Sequence, residues 1–562
     1  MCTKQVDQRL AIYLILAGMV LSLGTTSARA DAMNSAQSQW VHPGPDGKLV
    51  YKTTPLGDRI MDFSYAGYMG GGIALPTVAV KKTIAPSGQD DDTETIQAAI
   101  NEVAKLPLVN GFRGAVLLAP ATFACSQTIR IPASGVVLRG SGSGAPISNP
   151  HASSSAPASA NQISTIKLGG NPHLAIAIST SMRGNRGPDD EIDAIKSRGD
   201  STAQISDFKA AASTISDAYV PSGTRSFTVA SAKGFEVGDT VEIEHPVTQS
   251  WVKFMQMDDM VRDGKAQTWI RVGNNIAALR NITRISGNTI SVDVPLSDSF
   301  DAKYLSPPGA AVVKVRPPTA ITQSGIEDLH IECPPQAINH TQKHFQAIRI
   351  NGQDCWARNV VCDETMNSVS VSGRRITLLQ VSVNRHAAHQ GSSKPAEFAP
   401  NASQVLLDRC SVTADNVWFT ATGAGVSGPI VLLNCTFHGK SDAESHQRWS
   451  TGILYDNCNV PEGGITLRNR GSMGSGHGWT MGWGVIWNCA AKDYIVQNPP
   501  GAVNWLIGSV GRDTLASRPF GSGANLPEGI IDSANESVSP HSLYLAQLAE
   551  RLGPQAVKNI GY

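Results

Sequence analysis

The sequence predicts an all-β chain built as a β-solenoid, with a capping helix near its start and a β-rich insert. Three observations predict it. First, four segments share one pattern: Leu406–Val412, Val431–Phe437, Leu454–Val460 and Val485–Ala491 each run from apolar residues through Asn or Arg to Cys, with Cys-to-Cys steps of 25, 23 and 31. Second, further short apolar strands recur at similar intervals, each after a Gly or Asn turn, as stacked coils require. Third, hairpin-like β segments from Ser226 to Val292 break that spacing and read as an insert.

The termini and charge bound the function. Lys4 and Arg9 precede an apolar run from Leu10 to Leu23, and Ala28-Arg29-Ala30 is a small-x-small site. This predicts a signal peptide over 1–30 and a secreted or periplasmic protein. No later stretch is apolar enough to span a bilayer, so no membrane partner is expected after cleavage. The 562 residues carry 46 Lys+Arg and 46 Asp+Glu, a balance that does not favour nucleic acid. Export permits disulfides. Yet Cys410, Cys435 and Cys458 recur at one place per repeat, which predicts stacked, buried free thiols.

In chain order, 31–60 is polar and expected to be a flexible lead-in. Residues 61–180 hold a glycine-rich run (Gly70 to Gly72), a helix and the first coils. Asp92 or Thr93 can cap that helix, and Ile96, Ala99, Ile100 and Val103 form its apolar face. Residues 181–315 are the expected insert, whose His245, Trp251, Trp269 and Arg271 are candidates for a cleft wall. Residues 316–535 are the main coils. Asn434, Asn457 and Asn488 are expected to form a ladder of amides bonded coil to coil. Residues 536–562 are expected to cover the open solenoid end as a helix.

Asp91 to Ile100, Gly114 to Leu118, Ile129 to Pro132 and Val136 to Gly142 together resemble the N-terminal cap and first coils of pectate-lyase-like proteins. The resemblance implies a single-stranded right-handed parallel β-helix. It does not fix the substrate, because lyases, hydrolases and phage tailspikes share this opening.

A solenoid has no deep interior pocket, so chemistry must lie on its outer face and recur across coils ~5 Å apart. Residues 385–480 fit that condition. Arg385, His386, His446, Arg448 and His477 are the catalytic candidates. His389, Lys394, Glu444, Trp449, Arg470 and Trp479 are the substrate-binding candidates. These residue types suit an acidic polysaccharide. Arg forks a carboxylate, Trp stacks on sugar, and His, Arg and Lys together supply the base, acid and charge neutralisation of β-elimination at a uronate. Hydrolysis needs two positioned carboxylates instead, with Asp442 and Glu444 nearest the His/Arg cluster. The block from Arg385 through Gly476-His477-Gly478-Trp479 to Cys489 also resembles secreted bacterial pectate-lyase-like proteins with an inserted β domain. Calcium is common in that superfamily, but no acidic cluster stands on the His/Arg face, so metal dependence stays open. Two alternatives remain: a glycoside hydrolase on the same fold, or a non-catalytic glycan-binding surface protein.

Overall fold

A computed structural model describes residues 36–144, 162–180, 211–317, 319–521 and 523–562. The expected signal peptide lies outside the described residues, as do most of the loop at 143–160 and of the excursion at 181–215.

The chain is mostly β and of the β-helix class. Short strands pair in parallel with their counterparts one turn of chain earlier and later. One register line runs Ile326, Ala357, Leu378, Leu407, Leu432, Tyr455, Ile486, Leu506. All eight are buried in the interior cluster. Their preceding neighbours Leu406, Val431, Leu454, Val485 and Trp505 point outward, yet they are buried in a second cluster. Both faces of these strands are thus covered, so the runs read as continuously apolar rather than alternating. Each covered Leu or Val contributes about 1.5–3 kcal/mol.

Three pieces cover this flank. The first is the N-terminal segment. Trp40, Val41 and Ile60 are buried, and Ala36–Gln37 pairs with Val538–Ser539. From residue 36 the expected flexible lead-in is therefore ordered, because it has apolar side chains to bury. The second piece is the C-terminal segment. Its helices Leu543–Leu552 and Pro554–Asn559 lie along the coils instead of closing their end. Asp456 Oδ2 accepts from the Ser542 hydroxyl (2.7 Å) and the Tyr544 N–H (2.8 Å). The Tyr562 hydroxyl donates to Asp408 and accepts from Asn434 (2.8 Å). Gln547 bonds both Phe63 N and Met61 O, tying the two terminal segments together.

The third piece is a six-stranded antiparallel sheet contributed by residues between Ala212 and Lys314. Its Trp251 and Trp269 stack at 4.9 Å and meet Trp449 edge-on at 5.7 and 6.0 Å. Asp298 accepts from the indole N–H groups of Trp449 and Trp483. His245, Trp251 and Trp269 are buried at this contact and line no open cleft wall.

The helix Thr93–Ala104 buries Ile96, Ala99, Ile100 and Val103 against the first coils. Neither expected cap residue bonds the helix through its side chain. Asp91 Oδ1 accepts from Thr93 N at 2.9 Å, while Asp92 turns to Ser87 N at 2.6 Å.

The residue before each of the four repeat Cys residues, and its counterpart on earlier coils before Leu329, Val360 and Val381, sits in a left-handed turn. Asp328, Asn359, Gln380, Arg409, Asn434, Asn457 and Asn488 have φ between 49° and 55°. Asn and Asp tolerate that conformation best among non-glycine residues. This demand, rather than a ladder, selects the Asn. One rung does exist, Asn359 to Asp328 at 2.7 Å. Among the described residues no amide joins Asn434, Asn457 and Asn488. Asn434 turns to Tyr562, and Asn488 bonds Val538 and His541. The following Cys residues are free and buried. The Cys435, Cys458 and Cys489 thiols point at the carbonyls of Leu407, Leu432 and Tyr455 on the preceding coil.

Asn488→Ala removes the hydrogen bonds to Val538 N–H, Val538 O, Pro540 O and His541 O that hold the C-terminal segment, each worth up to about 1 kcal/mol with the long one to Pro540 adding little. Denaturant unfolding should show a loss of about 2–3 kcal/mol. Asn457→Gly, which keeps the turn, should change stability by less than about 1 kcal/mol.

Candidate functional site

The open face is the strand series Ala396–Pro400, Trp418–Thr422, Asp442–Ser445 and Asn459–Leu467. Ala396, Trp418, Asp442 and Gly464 stand in one register line, and Ala421, Glu444 and Thr466 in the next. Ala443 faces the interior, so Asp442 and Glu444 share the outer face. Their Cα atoms are ~6.6 Å apart by strand geometry. Loops at 385–395, 446–449 and 468–480 rise around this floor.

Glu444 is the centre of the cluster. Its side chain is 3% exposed. Its Oε1 lies 2.6 Å from His446 Nδ1 and 3.2 Å from Arg470 Nη1. Burial raises the carboxyl above its ordinary range, and Arg470, Arg468 and Lys394 oppose that rise. Arg470 Nη1 donates to His477 Nδ1 (2.7 Å) and to the His446 carbonyl (3.0 Å). The same nitrogen is 2.8 and 3.1 Å from the two nitrogens of His446. Near-equal distances put it over the ring rather than in line with either lone pair. His446 can then donate from Nδ1 to Glu444 and keep Nε2 as a basic lone pair. Its ring is held well below the ordinary imidazole pKa, first by burial and then by Arg470, Arg448 and His340. The ring is therefore neutral at neutral pH, and its side chain is 20% exposed.

Trp418 adjoins three of these groups. The Lys394 ammonium is 4.5 Å from its ring centroid, the Arg470 guanidinium 5.0 Å and the His446 ring 5.5 Å. Arg468, next along the floor, has a buried Nε with no hydrogen-bond partner among the described residues. Asp442 faces Lys394 and Arg468, and burial, followed by Glu444, raises its pKa. Beyond Lys394 the rim continues into His389 and His340, whose rings are 5.5 Å apart. His389 is depressed to about 4 by burial and by the surrounding cations and histidines.

The structure thus brings together Glu444, His446, Arg470, His477 and Lys394, with His389 on the rim. The remaining candidates stand elsewhere. His386 is 80% exposed and pairs with Glu364 at 3.0 Å, and no contact joins it to Glu444. Arg385 is buried beneath the rim, donating from Nη2 to the Gln336 carbonyl. Arg448 is structural: its guanidinium donates to the carbonyls of Trp269 and Ser475 and to the Ser475 hydroxyl, joining the antiparallel sheet to the Gly474 loop. Trp449 and Trp479 are each 2% exposed under that sheet and offer no ring to a sugar. His477 is 7% exposed. Its Nε2 lies so close to Gly474 that a side chain there would clash, so His477 orients Arg470 instead of meeting substrate. Trp418 was not singled out from the sequence, since its partners come from other coils.

Among the described residues no three His, Cys, Asp or Glu side chains converge to hold a metal ion. The acidic pair Asp442/Glu444 is already faced by Arg468, Arg470 and Lys394, which does not fit a calcium site.

No protein-family model matches the chain, and no curated protein matches it. Similar solved structures include three phage tailspikes. The tailspike protein gp49 from Pseudomonas phage LKA1 is 12% identical, with a TM-score of 0.37 over 75% of this chain and 64% of that one. The gp54 tailspike of Acinetobacter baumannii bacteriophage AP22, solved with a capsular saccharide, is 11% identical, with a TM-score of 0.32 over 80% and 65%. The Pseudomonas phage phi297 tailspike gp61 is 13% identical, with a TM-score of 0.30 over 79% and 73%. The chain thus spans slightly less than two thirds of the length of the first two.

Histidine NMR tests the electrostatics without any substrate. His446 should titrate below pH 6.5. Arg470→Met removes a cation that disfavours the imidazolium, so the midpoint should move up.

Proposed function

We propose that this protein is an exported carbohydrate-active enzyme that cleaves a uronic-acid-containing polysaccharide by β-elimination. The observation that carries the reading is the Glu444–His446–Arg470 cluster: a neutral, partly exposed imidazole tied to a buried carboxylate, amid cations on an outward strand face. The reading includes a right-handed β-helix of the pectate-lyase-like superfamily, supported by the N-terminal helix and the parallel coils. Export rests on the leader-like residues 1–30.

In this reading His446 Nε2 takes the C5 proton of the uronate. The electron pair of that C–H bond delocalises into the carboxylate and then forms the C4–C5 double bond as the C4–O bond breaks. Lys394, Arg468 and Arg470 neutralise the charge that develops on the carboxylate, where preorganised cations in a half-buried site are most effective. Glu444 holds the imidazole tautomer and orientation, and the leaving oxygen takes a proton from water or from the protonated His446.

One observation favours a second reading. Asp442 and Glu444 stand on one face with burial raising both, a pair of carboxyl groups of the kind hydrolysis needs. The tight hold of His446 and Arg470 on Glu444 disfavours it, because a hydrolytic carboxylate must reach water or the glycosidic oxygen.

A panel of acidic polysaccharides, read together by ultraviolet absorbance and by reducing ends, separates these readings. Elimination gives both signals, and His446→Ala lowers kcat/KM by ~10²–10⁴. Reducing ends without absorbance, abolished in Asp442→Asn and Glu444→Gln, would establish the hydrolase instead. Binding with no product, unchanged in His446→Ala, would establish a glycan-binding protein.

A further inference from the structure

We infer that Trp418 is the specificity-setting residue of this site, gathering Lys394 and Arg470 around one ring so that they share a single carboxylate of the sugar chain. The inference rests on the acidic-glycan reading above and names the element that recognises the acid. Trp418 begins the strand Trp418–Thr422 and stands in register between Ala396 and Asp442. Lys394 comes from the loop before Ala396–Pro400, and Arg470 from the loop after Asn459–Leu467. Nothing in the local sequence of either cation brings it to the other.

The ring does. The ammonium and the guanidinium lie 4.5 and 5.0 Å from its centroid, so the two charges are at most about 9.5 Å apart. Two cations brought together away from bulk water repel one another. The negative face of an indole offsets part of that repulsion, and the charge it does not offset is what an anion answers. Glu444 answers Arg470 at 3.2 Å, but its other partner is His446, and no ion pair with Lys394 is found among the described residues. Trp418 is 9% exposed with the cations against it, so it is a positioning residue rather than a platform for a sugar face. It also touches His446 at 5.5 Å, which couples the place where the carboxylate is held to the base that acts beside it. A neutral or esterified sugar would leave the gathered cations without an anion. Discrimination should therefore track the ring.

The test measures binding in the His446→Ala protein, so that turnover plays no part. The probes are hexamers of galacturonate, alginate and glucuronan, each beside its carboxyl-reduced form, by calorimetry. At least one acidic hexamer should bind more tightly than its reduced partner. Adding Trp418→Leu should cut that preference tenfold or more, and Trp418→Phe, which keeps an aromatic face, less than threefold. Lys394→Met provides a second variant that leaves the strand intact, and it should also cut the preference at least tenfold. A preference that survives both Trp418→Leu and Lys394→Met would overturn this inference while leaving the acidic-glycan reading standing. Absence of any preference with Trp418 present would overturn both.

Discussion

Parallel pairing sets each coil directly over the last, and this constraint decides which side chains are free for chemistry. Inward positions form one continuous core column from Ile326 to Leu506. Outward positions repeat equally faithfully, so a whole flank is either covered or open. The flank carrying Leu406, Val431, Leu454 and Val485 is apolar and takes the two terminal segments and the antiparallel sheet. The flank carrying Trp418, Asp442, Glu444 and Arg468 is polar and stays open to a groove. Alternation along a strand separates inward from outward positions, and the molecule's sidedness follows from which strand series carries apolar outward residues and which carries polar ones.

On the open flank, the Glu444 carboxylate is buried among charged neighbours. A buried charge that loses its partner typically destabilises by about 3–5 kcal/mol, so its neighbours are constrained in turn. Arg470 must stay beside it, and His477 holds Arg470 by its Nδ1. His477 is held by the glycine-rich loop at Gly474, against which Arg262, in the hairpin Val261–Arg262/Lys265–Ala266 of the insert, donates to the Gly474 carbonyl at 3.1 Å. Arg448 braces the same loop through Ser475. The insert thus reaches the site through support rather than by contributing a group to it.

Much of this was legible in the sequence, for identifiable reasons. The Cys positions and apolar runs exposed the coil spacing, because each coil buries the same places. The polar residues between the runs pointed to Glu444, His446, Arg470 and His477, since a cluster on a solenoid must be assembled from successive turns. The misreadings have one physical source, which is that a repeat pattern does not say what covers it. Trp449, Trp479 and Arg448 looked like surface binders, but they lie beneath the sheet contributed by residues 212–314. Asn434 and Asn488 looked like ladder rungs, but a left-handed turn selects the same residue, and their amides face the C-terminal segment. Trp418 stayed hidden because its meaning comes only from Lys394 and Arg470 meeting on it.

The charge arrangement bears on what the groove accepts. Two carboxylates, Asp442 and Glu444, face three cations, Lys394, Arg468 and Arg470. Glu444 is already committed to His446 and Arg470. Arg468 has an unpaired buried nitrogen, and Lys394 rests on an aromatic face. Leaving cations half-buried and incompletely answered costs stability, and a protein serving only a neutral sugar gains nothing from that cost. Under the proposed function, the carboxylate of the substrate completes the arrangement. The same cations then act more strongly as charge builds on that carboxylate, so that recognition and the proposed elimination draw on one set of interactions.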